Sequence, residues 1–260
     1  MVTVGNGTFW AKFVRREVTY RLMWQELKKL SLQLTGQIFT VVTFHADFEI
    51  AAHNAVRAEF DNVILFCCGF HLSQCWFRRI QSNRFLLHHY NSKDSEIGKW
   101  LKHFFGLRFL PPHEVVDGYL DLMSIIPSSN EALTDFSTYV LENYIVLARF
   151  PPELWASPPS KAPRTTNGPE SFHSSYNKEF YHPHPSIHLV VEVLREIQSE
   201  TDTKHQSIRM QSTKKPKKQS DARNDAAMAL WDVYDKSKRS RSDRLHYLKK
   251  LGYLFQGKKI

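Results

Sequence analysis

Asp47 stands just past residues 38–44, a run rich in β-branched and aromatic side chains. The ground beyond a parallel strand is where α/β sheets present catalytic or ligand-binding groups. The same position before an apolar helix also suits an Asp that caps the helix N-terminus. Cys68 and His71 have the spacing of one half of a tetrahedral zinc site. His182 and His184 are the other candidates for the missing half, and nothing in the sequence brings them near. The default reading is therefore a buried Cys and a His packed at a strand end, with zinc the lesser alternative. Glu170 follows Asn167 at capping-box spacing, and His173 falls on the same helical face as Glu170. Asn6-Gly7 has the composition of a hairpin turn.

The elements that must position these groups are legible as changes of hydrophobic period. Residues 38–44 predict a strand. From Phe48 the apolar residues Ile50, Ala51, Ala55, Val56, Ala58 and Phe60 fall near helical spacing, and residues 62–68 return to a continuous apolar run suited to a strand buried on both faces. This is a βαβ unit, with a right-handed crossover as the default. Ahead of it, residues 20–34 predict an amphipathic helix with Leu22, Met23, Leu27, Leu30 and Leu34 on one side, closed by Gly36. Behind it, residues 72–81 predict a helix carrying Arg78 and Arg79. Residues 95–105, 111–126 and 131–147 predict three more, punctuated by Gly106, Pro111-Pro112 and Pro127.

The motif DFE at 47–49, the alanine-rich helix after it, and a strand ending in Cys68-x-x-His71 with Gln74 beyond resemble the transposase domain of Mutator-like elements. NGTF at 6–9 is similar to that family's opening DGTF strand, and RTTNGPESFH at 164–173 to its R-T-N-N-x-x-E-x-x-H segment. The pieces lie in the family's order. The resemblance implies an α/β fold built on an RNase H-like mixed sheet with an all-helical insertion. The N-terminal strands are incomplete, because residues 10–20 leave room for one strand where the family has a further antiparallel pair. A shortened sheet exposes a strand edge, which favours pairing with another chain.

The resemblance also implies a two-metal site for phosphoryl transfer on DNA, with Mg2+ or Mn2+ held by the carboxylates of Asp47 and Glu170 beside position 6. The family's first Asp is here Asn6, an amide without charge. The implied enzyme is thus a DDE transposase by descent with impaired catalysis, and the alternative is a DNA-binding protein that no longer cuts. A third and weaker reading is a protein-interaction remnant using the helical insertion. Cys68 and His71 lie close to the active centre in the family, and His173 would help position a phosphate.

Charge agrees with a polyanionic partner: the formal net charge is +9 over 260 residues. Charge alone does not separate DNA from RNA or a membrane surface. Arg78, Arg79, Arg164, Lys214, Lys215, Lys217 and Lys218 are the expected phosphate contacts, and the cluster at 214–218 together with the resemblance points to the nucleus. A homodimer is open to the chain, while a membrane or small-molecule cofactor is not expected. Three cysteines, Cys67, Cys68 and Cys75, in one apolar segment indicate a reducing compartment. No signal-peptide pattern opens the chain, and no apolar run reaches spanning length. The expected organisation is a first core part at 1–90, a helical insertion at 91–150, a connector and Glu-bearing helices at 151–197, a disordered basic linker at 198–224, and short basic helices at 225–260.

Overall fold

The computed structural model describes residues 2–3, 16–160, 172, 175–182, 185–210 and 219–257. It is a mixed helix-and-strand fold in which a small parallel sheet is outweighed by helices. The strands β1 (Val2–Thr3), β2 (Thr43–Ala46) and β3 (Ile64–Cys67) lie in the order β1-β2-β3. Val2 pairs with Phe44 and Thr3 with His45, and Thr43 to Ala46 pair with Ile64 to Cys67. Among the described residues every pairing is parallel, so the antiparallel part of the expected mixed sheet is not represented there.

The helix α1 (Glu17–Thr35) precedes β2 and ends where Gly36 takes a φ of 68°, its N–H reaching back to the Leu32 carbonyl. Then β2, α2 (Ile50–Glu59) and β3 form the expected βαβ unit. The first strand is shorter than its apolar run, because Ile38 and Val42 point into solvent and pairing starts only at Thr43. Trp24 of α1 is the buried anchor beneath the sheet's helices, with edge-on contacts to Phe44 and Phe60 and a stacked contact to Phe39. Arg21 and Lys28 of α1 bind the Glu59 carboxylate and tie α1 to α2.

The rest is helical: α3 (Gly69–Gln81), α4 (Arg84–Asn91), α5 (Glu96–His103), two 3-10 segments (Phe104–Phe109 and Pro112–Glu114), α6 (Val115–Met123), α7 (Glu131–Tyr144) and α8 (Pro152–Trp155). Their starts follow local chemistry. Asn83, Ser95 and Asn130 each cap a helix by accepting a backbone N–H, from Leu86, Gly98 and Ala132 respectively. Trp76 of α3 is fully buried and joins the two halves of the molecule, its ring meeting Phe105, Tyr144 and Trp155 edge-on.

The C-terminal region departs from expectation. Where the composition reads as a disordered linker over 198–224, the chain is helical over α9 (Ile187–Met210) and again from the start of α10 (Gln219–Asp235). Within α9, Thr201, Thr203 and Ser207 return their hydroxyls to the carbonyls one turn back, and Lys204 pairs with Glu200 at 3.0 Å. The last helix, α11 (Arg241–Phe255), is no appendage: Tyr247, Leu248 and Leu251 are buried in the common core. Gly252 lies against α5 so closely that a Cβ there would overlap the Lys102 carbonyl.

Arg239 and Arg244, which stand in and just after a basic run of the sequence, are matched by carboxylates from the helical half. Arg239 reaches Glu114 at 2.6 Å, Arg244 reaches Asp121 at 2.7 Å, and the Tyr234 hydroxyl donates to the other Glu114 oxygen at 2.6 Å. The sequence does not show that carboxylates about 120 positions earlier face these arginines.

His103, buried on α5, is held neutral. Burial first, then the neighbouring Lys249 ammonium, lowers its pKa to about 4, against a smaller opposing effect of Glu96. The unfolded chain takes up that proton near pH 6.5, so this contribution to stability is complete above pH 6.5 and is lost as pH falls towards 4. It amounts to roughly 3 kcal/mol. Burial moves His45 and His53 in the same direction. A His103→Gln variant is expected to show a clearly shallower fall in Tm between pH 7 and pH 4.5 than the parent, measured by circular dichroism.

Candidate functional site

Asp47 follows β2 directly, at the carboxyl end of the parallel strands, and is half-buried. It is not the cap of α2. That place belongs to Glu49, whose side chain makes no capping bond and instead accepts the Tyr20 hydroxyl at 3.0 Å. The backbone carbonyl of Asp47 accepts from His53 Nε2 at 2.7 Å, one turn into α2. Just past the adjacent strand, the Cys68 N–H donates to the Ala46 carbonyl at 2.7 Å, and Cys68 begins α3 as its N-cap residue, its side chain making no capping bond to the helix. Cys68 is buried and His71 half-buried. The DFE motif and the Cys-x-x-His motif thus meet at the carboxyl end of the sheet.

Electrostatics bind this end of the sheet together. Burial, helped by the Asp47 carboxylate, pushes the Cys67 thiol far above its ordinary pKa. Burial does the same to Cys75, where Arg78 pulls down and Asp47 pushes up. Cys75 therefore feels both charges. His53 is lowered mainly by burial, with the Arg57 charge adding to it, so an uncharged imidazole and two protonated thiols are among the groups near Asp47. Native protein treated with iodoacetamide at pH 8 is expected to carry almost no adduct at Cys67, Cys68 or Cys75, while the denatured chain labels fully; mass spectrometry reads both.

Along one face of α3, His71, Cys75 and the pair Arg78 and Arg79 follow at four-, seven- and eight-residue intervals. Both arginines are exposed in the last turn, and the Arg79 guanidinium lies 5.4 Å from the centre of the Tyr139 ring of α7. A strip runs from a half-buried carboxylate to two exposed cations.

An open cleft of about 440 Å³ at the start of α2 is lined by Phe48, Glu49, Asn54, Arg149 and Phe150, among others. The sequence reading missed His53, Arg149 and Phe150. His53 had a signal, one turn into the helix that Asp47 precedes; Arg149 and Phe150 arrive through tertiary packing, with Phe150 set edge-on to Phe48 and His53.

Of the expected site residues, Asp47, Cys68, His71, Arg78 and Arg79 are described. Asn6, Arg164, Glu170, His173, Lys214, Lys215, Lys217 and Lys218 lie outside the described residues. Among the described residues no three His, Cys, Asp or Glu side chains are grouped to hold a metal ion. The half-buried carboxylate of Asp47 is a hard oxygen donor of the type Mg2+ or Mn2+ takes, whereas the protonated thiols beside it are not. No described helix is long and apolar enough to cross a membrane. The chain matches no protein-family model, no curated protein and no solved structure.

Proposed function

We propose that this chain is a Mutator-like transposase derivative with an RNase H-like core, acting on DNA in the nucleus and impaired in catalysis by Asn6. The observation that carries the reading is Asp47 at the carboxyl end of β2, between parallel neighbours β1 and β3, with Cys68 and His71 opening the helix after β3. An RNase H-like site needs its first ligand on a strand beside the one that delivers the second. The pairing of Thr3 with His45 runs towards the end of the sheet where Asp47 stands, and position 6 follows three residues later in sequence.

In this reading Asp47 and Glu170 would hold Mg2+ or Mn2+, which supplies charge stabilisation for in-line attack at phosphorus. The residues of the chain itself have simpler tasks. Asp47 offers oxygen ligands, Arg78 and Arg79 bind backbone phosphates, and His53 orients the chain at Asp47 through its carbonyl. The alternative, a DNA-binding protein that does not cut, is favoured by the two exposed arginines together with the missing charge at position 6. Fluorescence anisotropy with duplex DNA tests the reading common to both. Affinity is expected to fall steeply with salt, and Arg78→Ala with Arg79→Ala is expected to reduce the slope of log K against log salt by about 2. Binding indifferent to salt, or a slope unchanged in the double variant, overturns the interface.

A further inference from the structure

The guanidinium of Arg79, exposed in the last turn of α3, lies over the ring of Tyr139 of α7, its carbon 5.4 Å from the ring centre. That ring is held from behind. Its hydroxyl is 3.2 Å from the hydroxyl of Tyr144, which is buried with its own ring against Phe48, Trp76 and Phe150. The Tyr139 carbonyl accepts from Asn143 Nδ2 at 2.8 Å. The mount is fixed, and among the described residues no carboxylate pairs with the Arg79 side chain seated on it. Carboxylates nevertheless flank the ring. Asp135 and Glu142 stand four residues before and three residues after Tyr139, which sets them on the same side of α7, and both are exposed.

We propose that Tyr139 is a positioning residue for phosphate binding: its ring holds the Arg79 guanidinium out of ion pairs with Asp135 and Glu142 and presents it to the DNA backbone. This role rests on the reading of α3 as a DNA interface and adds the residue that keeps one of its two cations free. A guanidinium is planar and weakly hydrated, so it sits on an aromatic face while its N–H edge stays open, and that edge matches two phosphate oxygens. Without the ring, Arg79 has its side-chain torsions to fix on binding and two neighbouring carboxylates to leave. With the ring, part of both costs is met before DNA arrives. Among the described residues Arg78 lies over no ring, so the effect belongs to Arg79 alone.

Fluorescence anisotropy of the full chain with duplex DNA tests the role. Tyr139→Leu is expected to weaken binding by about 2- to 5-fold, the range spanned by an exposed cation–π contact. Tyr139→Phe keeps the ring and should bind as the parent does. Arg79→Lys keeps the charge without the planar group, and should lose a similar factor with the salt dependence unchanged. Because Tyr139 acts through Arg79, Tyr139→Leu should have no further effect in an Arg79→Ala chain, whereas a general loosening of α7 would weaken both backgrounds alike. Parental affinity in Tyr139→Leu overturns the proposal, as does a Tyr139→Phe chain that loses as much as the leucine variant, or a leucine effect that persists without Arg79. Should circular dichroism show Tyr139→Leu unfolded, Arg79→Lys decides: a loss of that size supports the role and parental binding overturns it. Weakening by Arg79→Ala with none from Tyr139→Leu removes the positioning role and leaves the interface standing. A parent whose binding ignores Arg79→Ala removes the interface, and the role with it.

Discussion

Restoring a carboxylate at position 6, Asn6→Asp, is expected to raise Mn2+-dependent cleavage of DNA by about 100- to 1,000-fold, the range over which one fixed electrostatic group acts in other active sites. An amide in a two-metal site offers an oxygen but no charge, so two dications share one fewer anion and the charge that develops at phosphorus is less well opposed. The expected gain requires Asp47. The doubly substituted chain, Asn6→Asp with Asp47→Ala, should fall back to the background rate, and gel assays of strand nicking on labelled duplexes measure all three proteins. Equal activity in the presence and absence of the Asp47 carboxylate would falsify the transposase reading. No gain from Asn6→Asp alone would move the defect from the ligand to the shortened N-terminal sheet.

Deleting residues 236–260 is expected to abolish cooperative folding of the helical half of the molecule. Those residues read as part of the short basic helices at 225–260. In the structure they carry α11, with Tyr247, Leu248 and Leu251 in the common core, the Tyr247 hydroxyl on the Phe109 carbonyl at 3.1 Å, and Arg244 on Asp121. Truncating even one such leucine to alanine typically costs 2–5 kcal/mol, and a whole domain has about 5–15 kcal/mol of stability. Removing the helix also strands Asp121 and Glu114 without their arginine partners, and breaking a nearly buried pair costs about 3–5 kcal/mol by itself. Thermal melts and limited proteolysis are the measurements. An unchanged Tm in the shortened chain would return α11 to the status of a tail.

Much of the local architecture was readable before any coordinates. The period change at Phe48 located α2, and Gly36 located the end of α1. Each of these signals acts over a few residues, so a single sequence contains it whole. The position of Asp47 past a strand was readable for the same reason, and so was the Cys68-x-x-His71 spacing. The βαβ reading already set the two motifs at the same end of parallel strands; the register that puts Ala46 opposite Cys67 was not legible, because it depends on how the whole unit packs.

What the sequence determined by itself is the set of elements and the chemical types at their ends, since helix periodicity, capping and turn preference are properties of neighbouring residues. What only the tertiary structure decided is the use made of each face and charge. Leu22, Leu27, Leu30 and Leu34, which read as the apolar side of α1, are exposed in the fold, and the residue that α1 buries is Trp24, against Phe44 and Phe60. The arginines at 239 and 244 belong to a basic stretch of the sequence and are matched in the fold by Glu114 and Asp121. An amphipathic helix or a run of cations states what it can pair with; burial and Coulomb energy depend on which partner the chain brings within a few ångströms, and that distance is set by the whole fold.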